Sequence, residues 1–295
     1  MANLLKKISQ AWPALLVLGL GLLISLIAWR LTDQRVKAEA SREFQQLASR
    51  AVDTVDRRIQ DNVNLLLGAK GLFGASDDVS RREFQTFLSS FQMERRYSIV
   101  RILTYSQYVR GAERAAFEQR VRRDTSVDPR GYPAFAVKPP GERDEYVVIK
   151  YLEPVAGNEL AFGLDLAADP VRRAEIARAR DLGEPVASGP FAVTINPNHI
   201  SFSLRVAVYR PGKPTRNPEE RRAAFQGVVA MVIHADDLMA SLFGTQISND
   251  FELVVHDVGP WLAPKSEEPT KKNLLYDSRF LGVMVRLIPT YGDGQ

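Results

Sequence analysis

From Ala11 to Trp29 the chain runs for nineteen residues without a charge (AWPALLVLGLGLLISLIAW), bounded by Lys6 and Lys7 on one side and Arg30 on the other. At 1.5 Å per residue a helix of this length reaches about 28 Å, close to the ~30 Å hydrocarbon core of a bilayer. Trp12 and Trp29 sit at its two ends, where amphipathic rings favour the headgroup level. A cleaved signal peptide would carry a shorter apolar region and a small-residue cleavage site, whereas Trp29-Arg30-Leu31 follows here. Residues 11–29 therefore read as an uncleaved membrane anchor. No second apolar run of that length follows, because the stretch Leu281 to Pro289 is interrupted by Arg286 and is only strand-sized. Everything from residue 30 onward is expected on one side of a membrane, although the lysines and arginines flanking the anchor are too evenly matched to say which.

A long helix is expected straight after the anchor, over residues 30–67. Phe44, Leu47, Ala51, Val55, Ile59, Val63 and Leu66 recur at a mean spacing of about 3.7, and neither Pro nor Gly occurs from Leu31 to Leu67. A sustained coiled coil would repeat at 3.5, so the stripe is expected to pack on the chain's own following domain, with part of it also available to a second copy.

The remaining chain alternates strand-like and helical stretches. Ser80-Arg-Arg-Glu83 is a capping box opening a helix to about Phe91, Glu113 to Arg123 is a short amphipathic helix, and Asp169-Pro170 starts a helix that stops at Gly183. Strands are expected at Ser98–Val109, Tyr132–Val137, Glu145–Leu152, Ser201–Tyr209, Gly227–Ile233, Phe251–His256 and Leu281–Ile288, with a short helix from Asp236 or Asp237. The stretches Arg210–Pro218 and Pro260–Asn273 read as loops. Without a regular βαβ period, this order predicts an α+β fold with antiparallel sheets.

The chemistry-bearing motifs are mostly negative. With no cysteine, the chain can hold no disulfide, thiolate metal site or cysteine nucleophile. His199, His234 and His256 are isolated, so no metal is expected, and no nucleophile elbow, P-loop or dinucleotide fingerprint occurs, so no cofactor is expected either. A balance of 39 basic to 35 acidic residues gives only +4, and Arg172, Arg173, Arg178 and Arg180 lack interleaved aromatics, which speaks against nucleic acid. Acidic residues cluster at Asp144 and Glu145, Asp165 and Asp169, and Asp236 and Asp237, positions typical of caps. Two readings stay open on these residues: a membrane-anchored hydrolase using the Asp165 and Asp169 region, and a stand-alone binding or assembly module.

One ordered series of segments is more specific and favours a sensor over both. Arg143-Asp-Glu-Tyr146 leading to Tyr151-Leu-Glu-Pro154, Gly163-Leu-Asp165, Asp169-Pro-Val-Arg-Arg173 through Arg180, Gly189-Pro-Phe191, Ala207-Val-Tyr209 and the stretch Arg221 to Phe243 together resemble the CHASE domain over roughly Ser80 to Gly244. This is the extracellular sensor domain of plant cytokinin-receptor histidine kinases and of many bacterial membrane receptors. The resemblance implies two tandem PAS-like modules after the stalk, a membrane-distal ligand-binding one over residues 68–217 and a membrane-proximal one over residues 218–295. It also implies a cytoplasmic N-terminus at residues 1–10, a sensor on the periplasmic or extracellular face of the inner (cell) membrane, and a homodimer. No output domain is present, so the chain reads as the non-catalytic sensor portion of a receptor whose cytoplasmic kinase or cyclase lies outside it.

Position by position, the resemblance also implies a ligand site that departs from the plant pattern. Arg172 stands where plant receptors place the Asp that bonds the adenine ring, and Arg205 stands for a pocket threonine. Ser188, Phe191 and Thr194 complete the lining. Two arginines in place of an acid and a hydroxyl speak against a purine and suit a small carboxylate or phosphate, which the guanidinium fork grips in bidentate geometry. The plainer alternative leaves Arg172 solvated and pairs Arg205 with a neighbouring acid.

Overall fold

A computed structural model describes residues 2–193, 196–243, 253–256, 274–277 and 285–286. The chain divides into two compact units, residues 1–56 and 57–295. The first unit is helical, part of α1 (Ala2–Ala75), and holds one stretch long and apolar enough to cross a membrane, with mean hydropathy 1.7 and none of it buried. The part of the expected stripe that belongs to the second unit packs on that unit's core. Phe44 and Leu47 stay exposed, while Val63 is half-buried and Leu65, Leu66, Ala69 and Phe73 enter the core of the second unit.

The second unit is α+β. After α1 come α2 (Arg81–Ser90), α3 (Met93–Arg96), β1 (Val100–Arg110), α4 (Arg114–Arg122), β2 (Glu145–Glu153), α5 (Pro170–Leu182), β3 (Val186–Ala187), β4 (Phe191–Val193), β5 (Asn196–Tyr209), α6 (Pro218–Ala224), β6 (Phe225–His234) and α7 (Ala235–Phe243). The short strands β7 (Leu253–His256), β8 (Leu274–Asp277) and β9 (Val285–Arg286) follow. The larger sheet has the order β2-β1-β6-β5-β3, with β4 also on β5, and all its pairs are antiparallel. In the smaller sheet, β8-β7-β9, the β7–β9 pair is parallel.

Period-two alternation gives the larger sheet two covered faces. Leu103 and Tyr105 of β1, Leu204 and Val206 of β5, and Val229 and Met231 of β6 pack with α1 and with Phe84 and Leu88 of α2. Each such buried side chain contributes about 1.5–3 kcal/mol. Helix α2 is oriented by the Ser80 capping box, in which Ser80 Oγ accepts from Glu83 N and Glu83 accepts from Ser80 N. On the opposite face, Ile176 of α5 packs with Val147, Ala167, Ala207, Phe225 and Val228.

Two expectations need correction. Residues 132–137 form no strand: Tyr132 N bonds Arg122 O, Phe135 N bonds Tyr132 O, and Val137 N bonds the Glu118 carboxylate, so this backbone is satisfied by α4 and its own turn. The module boundary at 217/218 cuts the larger sheet, because β6 lies between β1 and β5 and pairs with both. The stretch Arg210–Pro218 thus lies in the connection between the antiparallel neighbours β5 and β6, and much of the expected membrane-proximal module lies outside the described residues.

Candidate ligand-binding site

The face of the larger sheet beneath α5 carries polar groups in an apolar setting. Asp169 caps α5, its carboxylate accepting from Val171 N at 2.8 Å and Arg172 N at 3.2 Å, with Pro170 in the first turn. Gly183, at φ +77, ends the helix in the left-handed conformation that favours glycine. Burial of Ile176 and Ala179 fixes which side of α5 meets the sheet. Arg172 and Glu175 lie one turn apart on this helix and adjoin that side.

Arg205 on β5 meets them. Its side chain is only 6% exposed, and its Nη2 lies 3.0 Å from Glu175 Oε2 and donates to Ser203 Oγ at 2.6 Å. Its Nε and Nη1 are buried and have no hydrogen-bond partner among the described residues. Burial pushes the guanidinium pKa down, the Glu175 carboxylate opposes that shift, and the nearby Arg172 cation adds to it. The second Glu175 oxygen accepts from Gly189 N at 3.2 Å. Ser188 ties the β3 end to β5: its N donates to Ser203 O, its Oγ accepts from Ser203 N at 2.9 Å, and that hydroxyl donates to Gly189 O. Arg172 lies over the Phe191 ring at 5.6 Å.

Four of the five residues expected from the sequence, Arg172, Ser188, Phe191 and Arg205, are thus gathered around Glu175, and Thr194 lies outside the described residues. The acid paired with Arg205 was foreseen only as an unnamed neighbour. Glu175 was findable from its i, i+3 spacing to Arg172, and Ser203 from its same-face i−2 position on the strand. Thr104 and Ala230 had no local signal. They share the Arg205 rung, Thr104↔Ala230↔Arg205, and the small Ala230 separates the two larger polar side chains. One step along β1, Ser106 Oγ is fully buried without a partner.

The rival carboxylate site is occupied by structural duty. Asp165 Oδ1 accepts from Val147 N at 2.9 Å and Ala167 N at 3.0 Å, and Oδ2 accepts from Arg143 Nε at 3.0 Å. Ser201 Oγ and His234 Nδ1 are 2.7 Å apart, but Ser201 is fully buried. Among the described residues no group of three His, Asp or Glu side chains is placed to hold a metal ion.

Two cavities lie elsewhere. One of about 700 Å³ is lined by Arg114, Glu118, Arg143 and Tyr146, and one of about 370 Å³ by Lys70, Gly183, Tyr209 and Arg221. Their cations are engaged: Arg114 with Glu118, Arg143 with Asp165, Lys70 with Gly183 O, and Arg221 with Thr215 O and Asp181 O. Arg205 instead keeps two unused buried donors, where Arg58 of α1 has one, its Nε.

A family model described as the CHASE domain matches residues 77–276, a longer stretch than the motifs alone delimit. Among solved structures, the ligand-binding domain of the Pseudomonas aeruginosa PAO1 amino acid chemoreceptor PctC in complex with GABA is 12% identical. It aligns over 86% of this chain and 82% of its own, with a TM-score of 0.45.

Proposed function

We propose that this chain, which belongs to the CHASE domain family, is the small-ligand sensor of a membrane-bound receptor of the histidine kinase or diguanylate cyclase type, and that it binds a small anionic metabolite between α5 and the larger sheet. The observation that carries the reading is Arg205, a buried guanidinium with two nitrogens unpartnered among the described residues. An unmade hydrogen bond on a buried polar group costs roughly 1–3 kcal/mol, and more on a charged one. A bound anion removes that cost. In this reading Arg205 grips the anion, Arg172 and Phe191 close the mouth, and Ser188 lines the wall.

Sensing then rests on differential affinity, since a ligand shifts a conformational equilibrium only by the difference in its affinities for the two states. Glu175 and Gly189 join α5 to the β3–β4 turn, so an anion on Arg205 acts on both. The sensor faces the periplasm or exterior, and a homodimer carries the response through the stalk and anchor to a cytoplasmic output domain or partner.

Thermal shift of the full chain in detergent micelles, screened against purines, organic acids, amino acids and phosphates with turnover followed in parallel, tests the reading. The expected result is stabilisation by anions without turnover, lost in Arg205→Ala. Unchanged affinity in that variant overturns the site, and turnover favours the hydrolase.

A further inference from the structure

We infer that Glu175 sets the ligand's charge: the site takes a monoanionic carboxylate and rejects dianions such as dicarboxylates and phosphates. This rests on the Arg205 site proposed above. Among the described residues, Glu175 pairs with Arg205 at 3.0 Å, and Arg172 is the cation that acts on it. Two cations and one carboxylate leave a surplus of a single positive charge, which a monoanion neutralises. A dianion leaves a negative excess beside Glu175 in a water-poor setting, where an uncompensated charge is disfavoured.

Geometry makes Glu175 hard to avoid. A guanidinium offers two bidentate edges, and Nη2 belongs to both of them. Here Nη2 serves Glu175 and Ser203, so an anion taking either edge arrives next to the Glu175 carboxylate. That carboxylate is held from both sides, by Arg205 and by Gly189 N, which opposes its swinging away. Ser203, a neutral hydroxyl, yields its place at less cost than the ion pair does. Phosphate monoesters carry about −1.5 to −2 near neutral pH and fall on the rejected side.

The test titrates the full chain in detergent micelles, at neutral pH and fixed ionic strength, with propionate and benzoate as monoanions and with succinate and the monoester phenyl phosphate as dianions. Wild type is expected to bind a monoanion at least tenfold more tightly than either dianion. In Glu175→Gln the surplus becomes two charges, and dianion affinity is expected to rise at least tenfold. Arg172→Gln, a half-exposed position that does not threaten folding, cancels the surplus and is expected to weaken monoanion binding. Arg205→Gln is expected to abolish binding of both classes. Equal affinity of the two classes for wild type, with Arg205→Gln abolishing both, overturns the charge rule and leaves the site standing. Binding indifferent to Arg205→Gln, or no binding by any probe, overturns the site and the charge rule together.

Discussion

Asp165 offers a sharp test of how this fold holds α5. Its side chain is fully buried and makes three contacts: two backbone N–H donors, Val147 and Ala167, converge on Oδ1, and Arg143 Nε reaches Oδ2. Truncation to Ala leaves both amides unsatisfied at about 1–3 kcal/mol each and strands the Arg143 guanidinium, so a loss of about 4 kcal/mol is expected. For a unit of this size each kcal/mol moves the melting temperature by roughly 2–4 °C, which places Asp165→Ala about 8–16 °C below wild type. Asp165→Asn keeps an oxygen for the two amides but turns an NH2 toward Arg143 Nε, donor against donor. Only the charge-assisted bond is lost, about 2 kcal/mol or roughly 4–8 °C. Scanning fluorimetry of the full chain in micelles reads both values. An Asp165→Ala melt within about 2 °C of wild type, or an Asn variant as damaged as the Ala one, refutes the assignment of Asp165 as the joint between β2 and the turn leading to α5.

Two further outcomes rest on backbone and charge. Gly163 and Gly157 share a left-handed φ, +84 and +81, but a Cβ at Gly163 would land on the Ala136 carbonyl oxygen whereas one at Gly157 meets nothing within 4 Å. Gly163→Ala is therefore expected to lower the melting temperature several-fold more than Gly157→Ala, which carries only about 1 kcal/mol of conformational strain; equal shifts would discard the crowding argument. Burial holds the Lys150 pKa at about 8, against 10.5 when unfolded. From about pH 8 towards 10.5 the unfolded chain thus binds more protons at this residue than the folded one, and stability rises with pH across that window. Lys150→Met should flatten the rise and stabilise the fold at pH 7, and a melting profile that keeps its slope in the variant rejects the assignment.

What was legible in the sequence was mostly local. The Ser80 box, the Asp169-Pro170 start and the Gly183 stop are each written within four residues, and each is where the structure has it. Asn217-Pro218 carries the same start signature as Asp169-Pro170, with Asn217 accepting from Glu220 N, yet its setting in a Pro/Gly-rich stretch hid α6. Residues 132–137 alternate like a strand because Phe135 and Val137 both enter a core, but Pro133 and Pro139 cannot donate to a ladder. The site shows the same division. Family resemblance pointed to Arg172, Ser188, Phe191 and Arg205, whereas the rung joining Thr104, Ala230 and Arg205 is set by pairing between strands far apart in the chain. No window of sequence displays such a register.

The position of β6 also governs how the unit comes into being. The strand that fills the middle of the larger sheet is the last of its strands in the chain, so β1 waits for a neighbour whose first residue lies 125 positions beyond its own. At synthesis rates of about 5–20 residues per second β1 keeps an open edge for roughly 6–25 seconds, and β5, complete at Tyr209, adds a second open edge for only about the last 1–3 seconds. The unit therefore closes late and all at once, by insertion of a central strand between two waiting partners. Chains interrupted between Tyr209 and Phe225 hold two adhesive edges and nothing to join them.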